Sequence, residues 1–307
     1  MNHTALRFHH GHAALLLTAA LFGLAFIFQR HGAQVLSALH FMSWRLVLST
    51  AFLVLCWLLL RLNRRNRQPL GHWLIDGCVC GILMFLGMIS QQWGLSHTTA
   101  GKSGFITSLY VIFVPLIALF MGQRISKKLL YALTLTLVGL CCFVSIQSDD
   151  STLSWNQGDT VTLLSAFLWA FFVLYIGYAV RRSDVLTLST FQLFIATILS
   201  LLCMLGSNEG IAPLFDAEKL RYSFWDIIFT GIGSSAIAFF MQSWGQRLVP
   251  ATPAAIILSL ESVFALFFGW LLLNEQISPL MFIGCILLLI AMIMAQFDDS
   301  PAKSNQS

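Results

Sequence analysis

Glu261 and Arg45 are the side chains of this 307-residue chain best placed to do unusual chemistry, because each stands inside a long apolar run where water is scarce. Glu261 lies about eight residues into the run 253–273, roughly 12 Å from its start at about 1.5 Å per residue. A carboxyl group there must face protein or water. It either lines a cavity, contacting a solute or exchanging a proton, or it serves structure as an ion-pair partner or a protonated, hydrogen-bonded acid. Arg45 lies at similar depth in the run 36–60, and its guanidinium cannot shed its charge. It needs an acceptor: carbonyls at a helix end, a carboxylate such as Glu261, or an anionic group on a solute.

Other polar residues could join them. Ser103, Thr107 and Tyr110 recur at i, i+4 and i+7, which places them on one helical face. Gln91 and Gln242 stand in similar local sequences. In an apolar surrounding such groups either glue helices together or hydrogen-bond a polar solute. Trp169, with Thr162 and Ser165 on its side of a helix, is a candidate aromatic wall or a packing residue. Lys102 opens an apolar run, where its ammonium either attracts carboxylates at a cavity mouth or snorkels to an interface. His9, His10 and His12 could bind a metal but read as an exposed tail, and no metal or other cofactor is expected. The seven cysteines fall inside apolar runs without zinc-site spacing and read as small core fillers. HExxH, GxSxG, Walker A and paired intramembrane aspartates are all absent, so no catalytic residue is expected and the chain does not read as an enzyme.

The elements that position these residues are membrane helices. The chain is 58% hydrophobic and 10% charged, whereas a soluble domain is about a quarter charged. Ten apolar runs of membrane-crossing length are predicted at 12–28, 36–60, 73–95, 103–121, 129–146, 160–180, 186–206, 224–247, 253–273 and 280–296. The first, preceded by Arg7, superficially resembles a secretory signal, but its length and the nine runs after it predict an uncleaved helix. With the N-terminus in the cytoplasm, twelve of the seventeen basic residues fall inside: Arg7, Arg61, Arg64, Arg65, Arg67, Arg124, Lys127, Lys128, Arg181, Arg182, Arg247 and Lys303. Both termini are therefore expected in the cytoplasm, in the inner membrane of a bacterial-type cell. The basic residues orient the chain in the lipid bilayer and form no long stripe, which argues against nucleic acid as a partner.

The chain also repeats itself. A shift of 151 residues lays Gln91 on Gln242, Trp93 on Trp244, Gly94 on Gly245, Ala100 on Ala251, Ile106 on Ile257, Ser108 on Ser259, Leu109 on Leu260 and Phe113 on Phe264. Eight identities in the 23 positions 91–113 exceed what shared apolar composition easily gives. The acidic segment 148–159 is the natural midpoint, dividing repeats at 1–147 and 160–297 from a cytoplasmic tail at 298–307. Five helices per half is an odd number, so the second half enters the membrane inverted. The expected fold is all-α and integral to the membrane, with ten transmembrane helices as two inverted five-helix repeats, a layout characteristic of transporters.

Several stretches resemble the EamA-type branch of the drug/metabolite transporter superfamily. They are 94–115 (GLSHTTAGKSGFITSLYVIFVP), its counterparts QSWGQR at 242–247 and LSLESVFA at 258–265, then 271–278, and FMSWR at 41–45. The resemblance runs over nearly the whole chain. It implies a secondary transporter that moves a small organic solute by alternating access, with amino acids or similar metabolites leaving the cell as the leading expectation. Uptake, exchange of another metabolite class, or a channel or scaffold without transport are the alternatives. A proton is a candidate coupling ion, and the lipid-facing surface could also bury a homodimer seam. Glu261, Tyr110, Gln91, Gln242, Trp169, Thr107 and Lys102 are the candidate solute-binding residues, with Arg45 and Pro115 in structural or coupling roles. The family usually carries proline directly after the carboxylate at 261, where this chain has Ser262, while Pro115 is kept. If proline sets the bends, the two halves should bend unequally.

Overall fold

A computed structural model describes residues 3–32, 34–62, 72–97, 100–122, 125–144, 156–207, 210, 216–273 and 278–296. The described residues are helical with no strand. The connecting segment 145–155, the tail from 297, the basic loop 63–71 and the side chain of Lys102 lie outside them.

The helices are α1 (His3–Gly32), α2 (Ala38–Leu62), α3 (Trp73–His97), α4 (Ala100–Ser108), α5 (Tyr110–Phe120), α6 (Lys127–Val144), α7 (Gln157–Ala179) and α8 (Val185–Leu205). After them come α9 (Ala217–Tyr222), α10 (Phe224–Ile228), a π-helical stretch (Phe229–Ile237), α11 (Ala238–Leu248), α12 (Ala251–Leu258), α13 (Glu261–Leu273) and α14 (Pro279–Gln296). Among the described residues, seven helical segments are long and apolar enough to span a bilayer by themselves, and Ile106–Phe120 and Pro279–Ala295 are shorter apolar helices. Joining α4 to α5, α12 to α13, and α10 through the π stretch to α11 gives ten passes among the described residues, each but the first within a few residues of an apolar run read from the sequence. Helices suit this setting because they satisfy every backbone group internally where lipid offers no partner. The outer surface is studded with Leu55, Leu59, Ile75, Ile82, Phe267 and Trp270, all exposed, as a lipid-facing surface must be.

Two corrections concern particular elements. The fourth and ninth passes are not continuous helices: each is interrupted, at Leu109 and at Ser259–Leu260. The first helix also begins well before residue 12, and His12 is buried in it, whereas His9 and His10 are exposed. The expected exposed tail is thus a helical extension.

The packing carries the duplication. Helix α3 lies along α7 and α8, and correspondingly α11 lies along α1 and the π stretch along α2. The broken pass α4–α5 packs on α7, as α12–α13 packs on α1. Helix α2 meets α8, and α6 meets α14, each pair being its own counterpart. Exchanging the halves therefore reproduces the same set of neighbours, a two-fold relation between inverted repeats. Two large apolar cores result, beside a small cluster of Leu36, Phe41 and Ile227. One is built around Tyr110, Val114, Leu133, Ala170 and Ile257, the other around Leu46, Met84, Phe172, Ile176 and Leu193. Phe22 and Trp169 touch both cores.

Candidate functional site

Between the two large cores lies a cavity of about 60 Å³. Its walls come from α1, α2, α3, both broken passes, α7 and the eighth pass. Seven of the nine residues singled out in the sequence line it: Glu261, Tyr110, Gln91, Gln242, Trp169, Thr107 and Arg45. Pro115 does not; it is buried inside α5. Lys102 sits on α4, with its side chain outside the described residues.

Arg45 is only 6% exposed. Its Nε donates to Ser235 Oγ at 2.5 Å, Nη1 to Gln29 Oε1 at 3.1 Å and Nη2 to Ser234 Oγ at 3.0 Å. All three acceptors are neutral. Glu261, proposed from sequence as one partner, is not one, and no described carboxylate pairs with Arg45. A guanidinium has five N–H donors, so two remain uncommitted on a buried charge that no anion balances. Two consecutive serines reach one side chain because the wider π turn reduces the angular separation of neighbouring residues.

Glu261 is 7% exposed and makes no hydrogen bond or ion pair with the described residues. It begins α13, as its repeat mate Tyr110 begins α5, and both line the same cavity. Both stand where a helix restarts, and the N–H groups there bond back to the interruption, Ile112 N to Leu109 O at 2.9 Å and Ser262 N to Ser259 O at 3.2 Å. The breaks touch: Ser108 Oγ lies 3.1 Å from Ser262 Oγ. Helix α1 presses on the second break through Gly23, where a Cβ would come 2.7 Å from the Glu261 carbonyl oxygen.

The remaining lining supplies hydrogen-bonding groups and rings. Gln91 donates to Thr107 at 3.4 Å. Gln242 Nε2 donates to Gln246 Oε1 at 3.2 Å, which leaves its buried Oε1 without a partner, as is the Trp169 indole N–H. Trp169 stacks on Phe239 with centroids 5.7 Å apart, and Phe239 meets Phe22 at 5.0 Å. Thr162 and Ser165, read with Trp169 as one wall, are absent from the lining and bond back to their own helix. Thr162 instead faces Gly94 across the α3–α7 contact.

A model of the EamA-like transporter family matches residues 9–145 and again 156–296. The chain belongs to the EamA-like transporter family. It is thereby a multi-pass membrane protein of the drug/metabolite transporter superfamily. An uncharacterized transporter of Archaeoglobus fulgidus is 32% identical over 225 residues, covering 71% of this chain and 68% of its own. The uncharacterized transporter YoaV of Bacillus subtilis is 23% identical over 94% of this chain and 97% of its own. A WAT1-related chloroplastic protein of Arabidopsis thaliana is 27% identical over 70% of this chain and 52% of its own. A solved crystal structure superposes with a TM-score of 0.72 at 16% identity, covering 92% of this chain and 96% of the other, and so shares the fold.

In this EamA-like transporter the missing proline does not move the helix break. Both halves are interrupted at repeat-equivalent positions, although one has Val111 and the other Ser262 after the first residue of the new helix. Sequence reasoning missed Gln29, Ser234 and Ser235 as partners of Arg45. The run GIGSSA at 231–236 was the available signal, because small residues in a membrane helix mark close approach.

Two further polar clusters close opposite ends of the bundle. Buried Asp76, at the start of α3, accepts from Tyr175 Oη at 3.1 Å, from Ser183 Oγ at 3.0 Å, and from both Nε (2.9 Å) and Nη2 of Arg182. This bonding pushes the Arg182 guanidinium, which lies beyond the end of α7, still further up. At the other end Asp226, near the start of the eighth pass, meets His31 Nδ1 at 2.7 Å, and His31 stacks on Tyr222. His31 and Arg182 are related by the same 151-residue shift.

Proposed function

We propose that this protein is a secondary transporter that carries small organic solutes, with amino acids or related metabolites as the class, out across the cytoplasmic membrane by alternating access. The observation that carries the reading is the cavity at the crossing of two broken, repeat-related passes, holding a buried Arg45 and a buried Glu261 that do not neutralise each other. A solute with both an anionic and a cationic group supplies what each lacks. Two-fold related halves can exchange conformations, and the cavity between them then opens to one side and afterwards to the other. We place both termini in the cytoplasm on the distribution of basic residues, and the repeats at 1–147 and 160–297 around the connection 148–159. The outward direction rests on the family resemblance. Protons are the proposed coupling ion, with Glu261 as their carrier.

Counterflow in proteoliposomes tests this reading. Vesicles preloaded with mixed amino acids and other small metabolites should lose one chemical class, saturably, in exchange for external solute. Unsaturable loss would point to a channel, and no exchange from folded protein to a scaffold.

A further inference from the structure

We propose that Arg45 binds the carboxylate of the transported solute and that Glu261 faces its amino group, with the aromatic wall around Trp169 receiving an apolar side chain. This rests on the transporter reading above and adds which group reads which part of the solute.

The two ends of such a solute meet different chemistry. Arg45 is fixed by three neutral acceptors on two other passes, so its direction is set before any solute arrives. Its two uncommitted N–H groups form a fork that suits a carboxylate, with which a guanidinium makes paired, charge-assisted hydrogen bonds. Neutral acceptors orient the charge without cancelling it. Glu261 accepts no hydrogen bond from any described residue and can take an ammonium donor. In the same lining the buried, unpartnered Gln242 Oε1 and Trp169 Nε1 offer one acceptor and one donor. Phe22, Phe26, Trp169 and Phe239 supply apolar rings to the lining.

The arrangement is not shared by the repeats. The counterparts of Arg45 and Glu261 under the 151-residue shift are Ala196 and Tyr110. The solute therefore lies in one orientation and does not straddle the two-fold relation in two equivalent ways. A duplicated fold with one unduplicated pair of charges recognises a polarised molecule.

The experiment compares solute analogues before it uses any variant. Proteoliposomes holding the full chain are loaded in turn with four pools: the twenty standard amino acids, their carboxamides, their N-acetyl derivatives, and a set of sugars, nucleosides and simple amines. The amino acids should exchange, and the carboxamides and N-acetyl derivatives should each require about ten- to a hundredfold higher concentration. In folded Arg45→Gln protein, the amino acids should fall to the level of their carboxamides. In Glu261→Gln, they should fall to the level of their N-acetyl derivatives. Arg45→Lys keeps the charge but loses the fork, and should raise half-saturation while sparing the maximal rate. Equal exchange of acids and carboxamides in the wild type would overturn the Arg45 assignment and leave the transporter reading intact, whereas exchange confined to the fourth pool would overturn that assignment together with the amino-acid class and leave a carrier of another solute. Failure of every pool in folded protein would overturn the transporter reading, and this inference with it.

Discussion

Gly23→Ala tests whether α1 holds the broken ninth pass in place. The new Cβ would sit 2.5 Å from Phe264 Cβ and 2.7 Å from both the Ala265 nitrogen and the Glu261 carbonyl oxygen. Ordinary contact begins near 3.4 Å, so α1 and α13 must separate by about 0.7 to 0.9 Å. Two of the three obstacles are backbone atoms, so no rotamer change can relieve the clash. Overpacking of this kind costs about 1–3 kcal/mol. Because one of the atoms displaced is the Glu261 carbonyl oxygen, the shift also reaches the cavity. Thermal unfolding of the purified protein should therefore move down by several degrees, and transport should fall even where the protein remains folded. Gly104→Ala is the control on the other broken pass: its Cβ would meet nothing within 4 Å. Replacing a helical glycine there should be neutral or stabilising by up to about 1 kcal/mol. If Gly23→Ala melts and transports like the wild type, the contact between α1 and the break does not position Glu261.

Three further outcomes are expected. Glu261→Gln removes the one carboxyl group in the lining; transport should fall about tenfold or more and its pH profile should flatten, and an unchanged rate and profile in folded protein would remove Glu261 as the coupling residue. Arg182→Ala strips two of the four side-chain donors from buried Asp76 and should destabilise by about 3 kcal/mol, with part of the loss recovered when Asp76→Asn is added; a melting temperature unmoved by Arg182→Ala would refute the brace. Ser108→Ala and Ser262→Ala should each cost about 0.5–1 kcal/mol and be non-additive, since the double variant removes one shared hydrogen bond, whereas strict additivity in unfolding experiments would show no coupling between the two breaks.

The passes were legible because an apolar run about twenty residues long has few folded alternatives, and the runs at 73–95 and 186–206 match α3 and α8 to within two residues. The repeat was legible because Gln, Trp and Gly are rare coincidences in apolar sequence. Composition could not show the interruptions at Leu109 and Ser259–Leu260, since LYVIF and SLESV continue apolar runs without glycine or proline at the break. Nor could it show that Arg45 meets two serines. That geometry depends on a π-helical stretch, which depends in turn on how the eighth pass fits against α2. Thr162 and Ser165 misled for a related reason: facing the same way as Trp169 on α7 does not make a residue face the cavity, because α3 covers part of that side.

The shift that superposes the two halves also places Arg182 where the other half has His31, each clasping an aspartate at opposite ends of the bundle. The arginine reaches Asp76 through two nitrogens, Nε and Nη2, whereas the histidine meets Asp226 through Nδ1 alone. The halves are thus alike in packing but unlike in their fastenings: one end is held by a forked contact and the other by a single one.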